Sequence, residues 1–126
     1  MTDQPETRDA FLMGRVQLCQ PVRGYRAGVD PVLLAAATPG EAGQSVLELG
    51  CGAGAASLCL NARVAGMEFV GVELQPYYAD LARRNASENG VNMTVVEADI
   101  RKMPLEVRDR RFDHVIANPP YYLKDK

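Results

Sequence analysis

The sequence SVLELGCGAGA, residues 45–55, decides the fold of this chain. Its first five residues predict a strand. The three glycines at alternate positions that follow let the backbone turn tightly and approach a ligand closely. Residues 55–64 are small and apolar and predict a helix, whose first backbone N–H groups would point at that ligand. The stretch therefore predicts a strand, a ligand-binding turn and a helix in succession.

Outward from this stretch, strands and helices alternate along the chain. Further strands are predicted at 68–73, 93–98 and 112–117, with a helix at 76–88 that Pro76 opens and Asn89-Gly90 ends. Residues 99–111 form a polar connection with room for one helical turn. Upstream, GVDPVLLAAATPG predicts a short helix with Asp30 as its N-cap. This order indicates an α/β fold with a parallel sheet and right-handed crossovers.

The composition is that of one globular domain. The chain has 126 residues, of which 47% are apolar and 24% charged. No apolar run reaches the roughly 18 residues of a membrane span, so no membrane association is expected. Residues 1–13 are polar and mixed in charge and are predicted to be a flexible tail before a domain at residues 14–126. The three cysteines lack metal-ligand spacing, which indicates reduced thiols, no metal site and a cytoplasmic protein.

Charge is unevenly distributed along the chain. The formal net charge is −2, which does not by itself suggest a nucleic-acid-binding protein. Residues 41–100 carry eight acids and three bases, whereas residues 101–126 carry seven bases and four acids. A phosphate-binding rim and an ordinary solvated surface both explain this pattern.

Polar residues follow the predicted strands at the places where a parallel sheet binds its ligands. These places are the carboxyl ends of the strands, here residues 49–55, 73–75, 98–100 and 117–121. Glu73 can accept hydrogen bonds from both ribose hydroxyls of an adenosine, a group that NAD and S-adenosylmethionine share. The spacing of Gly50, Gly52 and Ala55 also fits a nicotinamide dinucleotide fingerprint. Asp99 can read the amino edge of an adenine or cap a turn.

Asn118-Pro119-Pro120-Tyr121 follows the last predicted strand. The Asn118 side-chain carbonyl and the Pro119 carbonyl, held by two fixed φ angles, form a pair of hydrogen-bond acceptors for a planar –NH₂ group. Such a pair favours the partly positive nitrogen that forms when the amine attacks, which is electrostatic and positional catalysis. Tyr121 offers a face on which a flipped base can stack. A structural turn with a packed tyrosine is the alternative.

Together these motifs resemble the class I S-adenosylmethionine-dependent methyltransferases. Residues 48–54 are similar to the glycine-rich first motif of that family, Glu73 to its ribose-binding acid and Asp99 to its adenine-side acid. Residues 118–121 resemble its amino-methylating signature. The stretch QPVRGYRAGVDPVLLAAA, residues 20–37, resembles the lead-in of bacterial tRNA adenine methyltransferases that modify an exocyclic amine beside the anticodon of valine tRNA.

The resemblance implies a Rossmann-like, three-layer α/β/α fold, S-adenosylmethionine as cofactor and tRNA as partner. It also implies that Tyr25, Arg26 and Asp30 lie near the cofactor or fold over it, although an Arg26–Asp30 ion pair is an alternative. The catalytic residues it implies are Asn118, Pro119, Pro120 and Tyr121. The cofactor-binding residues it implies are Tyr25, Arg26, Glu48, Gly50, Cys51, Gly52, Gly54, Glu73, Leu74, Asp99, Ile100 and Asn118.

The expected reaction is methyl transfer to the exocyclic amine of a nucleobase, adenine in tRNA. Three alternatives stay open: methylation of a protein glutamine amide, a nicotinamide-dependent oxidoreductase, and a fragment that binds the cofactor without turnover. Members of the resembled family continue past residues 118–121 with further strands. We therefore expect C-terminal strands to be missing here, which would leave the fourth strand with an unpaired edge that promotes self-association.

Overall fold

A computed structural model describes residues 4–119 of the protein. It contains a four-stranded parallel sheet and a separate two-stranded antiparallel hairpin. The elements are β1 Glu6–Phe11, β2 Val16–Pro21, α1 Asp30–Ala37, β3 Ser45–Leu49, α2 Ala55–Arg63, β4 Glu68–Glu73, α3 Pro76–Glu88, β5 Met93–Glu97, a 3₁₀ turn Ile100–Lys102, α4 Leu105–Arg108 and β6 His114–Ala117.

The parallel sheet has the strand order β5-β4-β3-β6. From β3 the chain builds outward in one direction through β4 and β5 and then crosses to the other side of β3 to form β6. Leu47 at the centre of β3 pairs with Val70 of β4 and Val115 of β6. The strand order reverses at β3, so the crevice at its carboxyl end is the expected ligand site.

Alternate residues of the strands build two apolar layers, which confirms the three-layer α/β/α prediction. On one face, Val46 and Phe69 pack with Leu58 of α2 and Leu81 of α3. On the other face, the neighbouring residues of the same strands pack against Val107 of α4. A strand that is buried on both faces reads as a continuous apolar run, which is why the sequence predicts these strands well.

The prediction of a flexible tail at residues 1–13 is wrong for residues 6–11, which form the first strand of the hairpin. Glu6–Phe11 pairs along its full length with Val16–Pro21. Alternate side chains of β2 are buried, among them Val16 and Leu18. The charges of β1 suggested a solvated tail, but two of them bind α3: Glu6 pairs with Arg84 and Arg8 with Glu88.

Several predicted boundaries shift by one or two residues. The strands at 45–49 and 68–73 and the helix at 76–88 match the prediction, whereas β5 ends at Glu97 and β6 begins at His114. Asp30 is not the N-cap of α1: the helix begins at Asp30 itself, after Val29, and has no side-chain cap. The proposed Arg26–Asp30 pair is also wrong, because Arg26 pairs with Asp9.

The outer edge of β6 has no partner strand among residues 4–119, where β6 pairs only with β3. Over the same residues, the helices are all too short or too polar to span a lipid bilayer.

Replacing Phe69 with alanine should lower the free energy of unfolding by about 3–5 kcal/mol, because it empties a fully buried site between the sheet and the helices. Urea denaturation measures the change. Val115→Ala is the control, since Val115 is 59% exposed on the edge strand and its loss should cost less than about 0.5 kcal/mol. Equal losses in the two variants would contradict the assignment of Phe69 to the core.

Candidate active site

The turn between β3 and α2 is shaped by glycine. Gly50 has a φ of 68° and Gly52 a φ of 56°, both in the left-handed region that other residues rarely adopt. A Cβ atom added at either position would meet no atom within 4 Å. The glycines are therefore required by the backbone conformation, and the space above the turn is open to a ligand.

Glu73 closes the turn from the end of β4. Its Oε1 accepts a hydrogen bond from the Gly52 N–H at 2.8 Å, and its Oε2 accepts one from the Gln75 N–H at 3.1 Å. The residue is buried. Each carboxylate oxygen has a second lone pair, so the fixed carboxylate can still accept hydrogen bonds from two ligand hydroxyls.

Glu48 is a second buried carboxylate, on β3. The Ser57 hydroxyl of α2 donates to its Oε1 at 2.6 Å. Burial raises the pKa of Glu48 from 4.5 to about 7, against the opposing effect of the Ser57 hydrogen bond, and the nearby charge of Glu73 adds to the increase. Glu48 can therefore take up or release a proton near neutral pH.

A cavity of about 310 Å³ lies at the carboxyl ends of β3, β4 and β6, where the sequence predicts the site. It brings together eight of the predicted residues: Tyr25, Glu48, Gly50, Cys51, Gly52, Glu73, Leu74 and Asn118. The rest of its lining is formed by Gln20, Ala27, Pro31, Ala53, Ala55, Ala56, Gln75 and Tyr78.

The segment after the hairpin passes over this cavity and is held there by three hydrogen bonds. Buried Gln20 accepts at its Oε1 from the Ala27 N–H at 2.8 Å. The Tyr78 hydroxyl donates to the Tyr25 carbonyl at 2.9 Å. The Asn118 side-chain Nδ2 donates to the Tyr25 hydroxyl at 3.4 Å. Tyr25 therefore joins the hairpin side of the cavity to the end of β6.

Several predicted site residues lie elsewhere. Arg26 donates to the Pro21 carbonyl at 2.6 Å and pairs with Asp9, so its guanidinium braces the hairpin and does not line the cavity. Asp99 binds the Arg101 side chain and backbone N–H, and the Arg101 hydrogen bond lowers the pKa of Asp99 to about 2. The cap interpretation of Asp99 is thus confirmed, and Asp99 lies outside the cavity lining.

The remaining predicted residues divide into three cases. Ile100 and Pro119 are described but do not line the cavity. Gly54 does not line the cavity; its φ of 97° lies in the left-handed region that favours glycine, and an added Cβ atom would make only ordinary contacts with Leu58 and Ala82. The predictions for Pro120 and Tyr121 fall outside the described residues.

The sequence analysis missed most of the lining contributed by the hairpin and by α3. Gln20 carries no chemical motif, and its only signal is that it continues the alternation of Val16 and Leu18 into a buried position. Tyr78 carries no motif either, and its only signal is its place in the sequence five residues after Glu73. Its neighbour Tyr77 points to the hairpin and donates to Glu6 at 2.8 Å.

The basic residues of the C-terminal quarter do not form one rim around the cavity. Arg101 and Lys102 directly follow β5, at the carboxyl edge of the sheet. Arg110 instead pairs at 2.7 Å with Glu68, the first residue of β4, at the opposite edge. Lys124 and Lys126 lie outside the described residues. Arg110 is therefore explained better as part of an ordinary solvated surface than as part of a phosphate-binding rim.

The raised pKa of Glu48 makes the stability of the protein depend on pH. Between pH 4.5 and about 7 the native state keeps a proton that the unfolded state releases, so the free energy of unfolding falls as pH rises through this window. Glu48→Gln keeps an acceptor for Ser57 and removes the titration. We expect the variant to match the native protein near pH 4.5 and to be more stable by about 2–3 kcal/mol at pH 8 in urea denaturation. Parallel pH profiles would contradict this assignment.

Comparison with known proteins places this site in a family. A family model described as "Methyltransferase domain" matches residues 46–126. A tRNA1(Val) (adenine(37)-N6)-methyltransferase of Porphyromonas gingivalis is 33% identical over 122 residues, 90% of this chain and 48% of that protein. A putative protein N5-glutamine methyltransferase of Methanocaldococcus jannaschii is 34% identical over 77% of this chain and 47% of that protein. The chain spans about half the length of these curated relatives.

A solved structure extends the comparison to the fold. The crystal structure of a predicted O-methyltransferase from Agrobacterium tumefaciens superposes with a TM-score of 0.61 and 32% identity, over 73% of this chain and 49% of that one. This agreement in fold accompanies the sequence match of the methyltransferase family model over residues 46–126. The chain therefore belongs to the class I methyltransferases, which take their methyl group from S-adenosylmethionine.

Proposed function

We propose that this protein transfers a methyl group from S-adenosylmethionine to the exocyclic amine of a nucleobase, adenine in tRNA. The observation that carries the proposal is the position of Asn118. Its side chain lines the cavity at the end of β6, and its Nδ2 donates to the Tyr25 hydroxyl. This hydrogen bond uses the donor side of the amide and leaves Oδ1 as an acceptor for a substrate amine.

The described residues fit the cofactor. Glu73, fixed by two backbone N–H groups, is the acceptor for the ribose hydroxyls, and the open turn at Gly50 and Gly52 admits the cofactor close to the backbone. Two acidic residues line the cavity, Glu73 and Glu48, of which Glu48 is partly ionised at neutral pH because burial raises its pKa to about 7, and no lysine or arginine of residues 4–119 lines it. A cavity of this charge suits a cationic sulfonium compound and disfavours the anionic pyrophosphate of the nicotinamide alternative.

The protein's own part in the reaction is to orient the amine. S-adenosylmethionine supplies an electrophilic methyl group on a positively charged sulfur. Asn118 Oδ1 and the Pro119 carbonyl are the two acceptors that we assign to the hydrogens of the amine. They favour the nitrogen as it becomes positively charged during attack, and they require no base before that step. Stacking of the flipped base on Tyr121 belongs to the same proposal.

Adenine in tRNA is the acceptor that we assign because the Porphyromonas gingivalis relative, named for that substrate, matches 90% of this chain, whereas the Methanocaldococcus jannaschii relative matches 77%. Action on tRNA implies nucleic-acid binding and a cytoplasmic location. The open edge of β6 offers unpaired backbone groups to a second copy of the chain. A protein glutamine amide is the second candidate acceptor, because it is also a planar –NH₂ group and the Methanocaldococcus jannaschii relative is named for it.

Transfer of labelled methyl from S-adenosylmethionine tests the acceptor. We expect label in tRNA that lacks the modification, and a rate about 100-fold or more lower for Asn118→Ala, because one of the two acceptors is lost. Calorimetry on the same samples reports cofactor binding. Label only in protein would move the assignment to glutamine. Cofactor binding without label in either acceptor would support the fragment without turnover.

Tyr25→Phe should slow methyl transfer by about threefold to tenfold, because Asn118 Nδ2 loses its partner and the amide is free to rotate. Single-turnover kinetics at saturating cofactor measures this rate. Tyr77→Phe is the matched control, since the Tyr77 hydroxyl binds Glu6 on the hairpin and does not line the cavity. Equal rates for Tyr25→Phe and the native protein would contradict the role of the Tyr25 hydroxyl.

A further inference from the structure

Asn85 of α3 and Asn89, which caps the end of α3, occupy the free edge of the hairpin in the manner of an added strand. Asn85 Oδ1 accepts from the Cys19 N–H at 2.9 Å, and its Nδ2 donates to the Cys19 carbonyl at 3.0 Å. One turn later, Asn89 makes the same pair of bonds with Gln17, at 3.0 and 2.8 Å. A helical turn rises by about 5.4 Å and two strand residues by about 6.8 Å, so the two repeats nearly match.

Asn85 and Asn89 differ in the second acceptor of the side-chain Nδ2, which for Asn89 is the Asn85 carbonyl within the helix end. The Nδ2 of Asn85 also donates to the Ala53 carbonyl at 3.0 Å, between Gly52 and Gly54 of the glycine turn. Asn85 is fully buried, and its three hydrogen bonds satisfy both its amide hydrogens and one lone pair of its oxygen. Ala53 itself lines the cavity. One buried side chain therefore holds the edge of the hairpin and the cofactor turn at the same time.

We infer that Asn85 is a positioning residue that couples cofactor binding at the glycine turn to the docking of the hairpin. The hairpin leads directly into the segment with Tyr25 and Ala27, which covers the cavity. A bound cofactor that orders the turn fixes the position of the Ala53 carbonyl. Because Asn85 donates to that carbonyl, its hydrogen bonds to Cys19 are stabilised as well. Linkage requires the reverse as well, so a docked hairpin raises the affinity for the cofactor.

Amide hydrogen exchange of the full chain, with and without S-adenosylmethionine, tests this coupling in the native protein. The cofactor should slow exchange of the Gln17 and Cys19 amides by about fivefold or more, the lower end of typical coupling. Unchanged exchange in a sample that binds the cofactor by calorimetry would overturn the inference. This arm needs no variant and therefore does not depend on the folding of one.

Asn85→Ala and Asn89→Ala form the matched pair. Asn85→Ala should weaken cofactor affinity by about fivefold or more and abolish the cofactor-dependent slowing at Gln17, because the link to Ala53 is gone. Asn89→Ala should speed exchange at Gln17 but keep the slowing at Cys19 and keep cofactor affinity within about twofold, since Asn89 has no bond to the turn. Equal losses of affinity in both variants would reduce Asn85 to a general structural role and overturn the coupling.

The inference rests on cofactor binding and not on the identity of the methyl acceptor. Retained binding without coupling overturns the inference alone and leaves the proposed function intact. No binding of S-adenosylmethionine by the native chain overturns both. Normal coupling without methyl transfer to RNA or protein overturns the proposed function and leaves the inference intact.

Discussion

The site depends on the attachment of the glycine turn to the end of β4. Gly50 and Cys51 donate their backbone N–H groups to the Val72 carbonyl at 2.7 and 3.1 Å, and Gly52 donates to the Glu73 carboxylate. These N–H groups belong to a turn, which has no helical hydrogen-bonding pattern of its own to supply acceptors. A buried N–H group that is left without an acceptor costs free energy. The turn therefore exists in this shape only because β4 lies beside β3 with Leu49 opposite Val72. A shift of one residue in this register would turn every side chain of β4 to the opposite face and remove both acceptors.

The hairpin is attached by a different kind of interaction from the one that holds the sheet. The sheet is held by apolar layers on both faces, whereas the hairpin combines the apolar contact of Val16 and Leu18 with amide hydrogen bonds and ion pairs to the α3 region. Exposed pairs such as Arg8–Glu88 contribute little free energy each. Buried amides that mimic a strand are stronger constraints, because each group they satisfy would otherwise be left unpaired. They also cover an edge that is otherwise free to pair with another chain.

The sequence predicts the sheet well because each of its strands is an apolar run and each crossover has its own start and stop signals. It predicts the glycine turn and Glu73 for the same reason: both are local motifs. It fails on the hairpin, because the partners of its charges lie in α3, about 80 positions away in the chain for Glu6 and Arg84. It fails on Arg26 in the same way, since Asp9 became available as a partner only when β1 paired with β2. Long-range polar contacts leave no periodic trace in a sequence, whereas apolar burial does.

In the proposed reaction, the positive charge of the cofactor and the positive charge that develops on the substrate amine are stabilised by different residues of the cavity. With S-adenosylmethionine bound, Glu48 and Glu73 would hold the cationic cofactor, and the oxygen of Asn118 would stabilise the positive charge that the amine nitrogen gains. Carboxylates that held only the starting charge would stabilise the ground state and slow the transfer. The acceptors at the end of β6 offset this, because they interact most strongly with the nitrogen after the charge has reached it. The acidic lining then holds the neutral thioether product less tightly than the sulfonium, which favours release. The carboxylates lie on β3 and β4, and the amide follows β6. Cofactor binding and stabilisation of the charged amine are therefore assigned to different strands, on the two sides of the point where the strand order reverses.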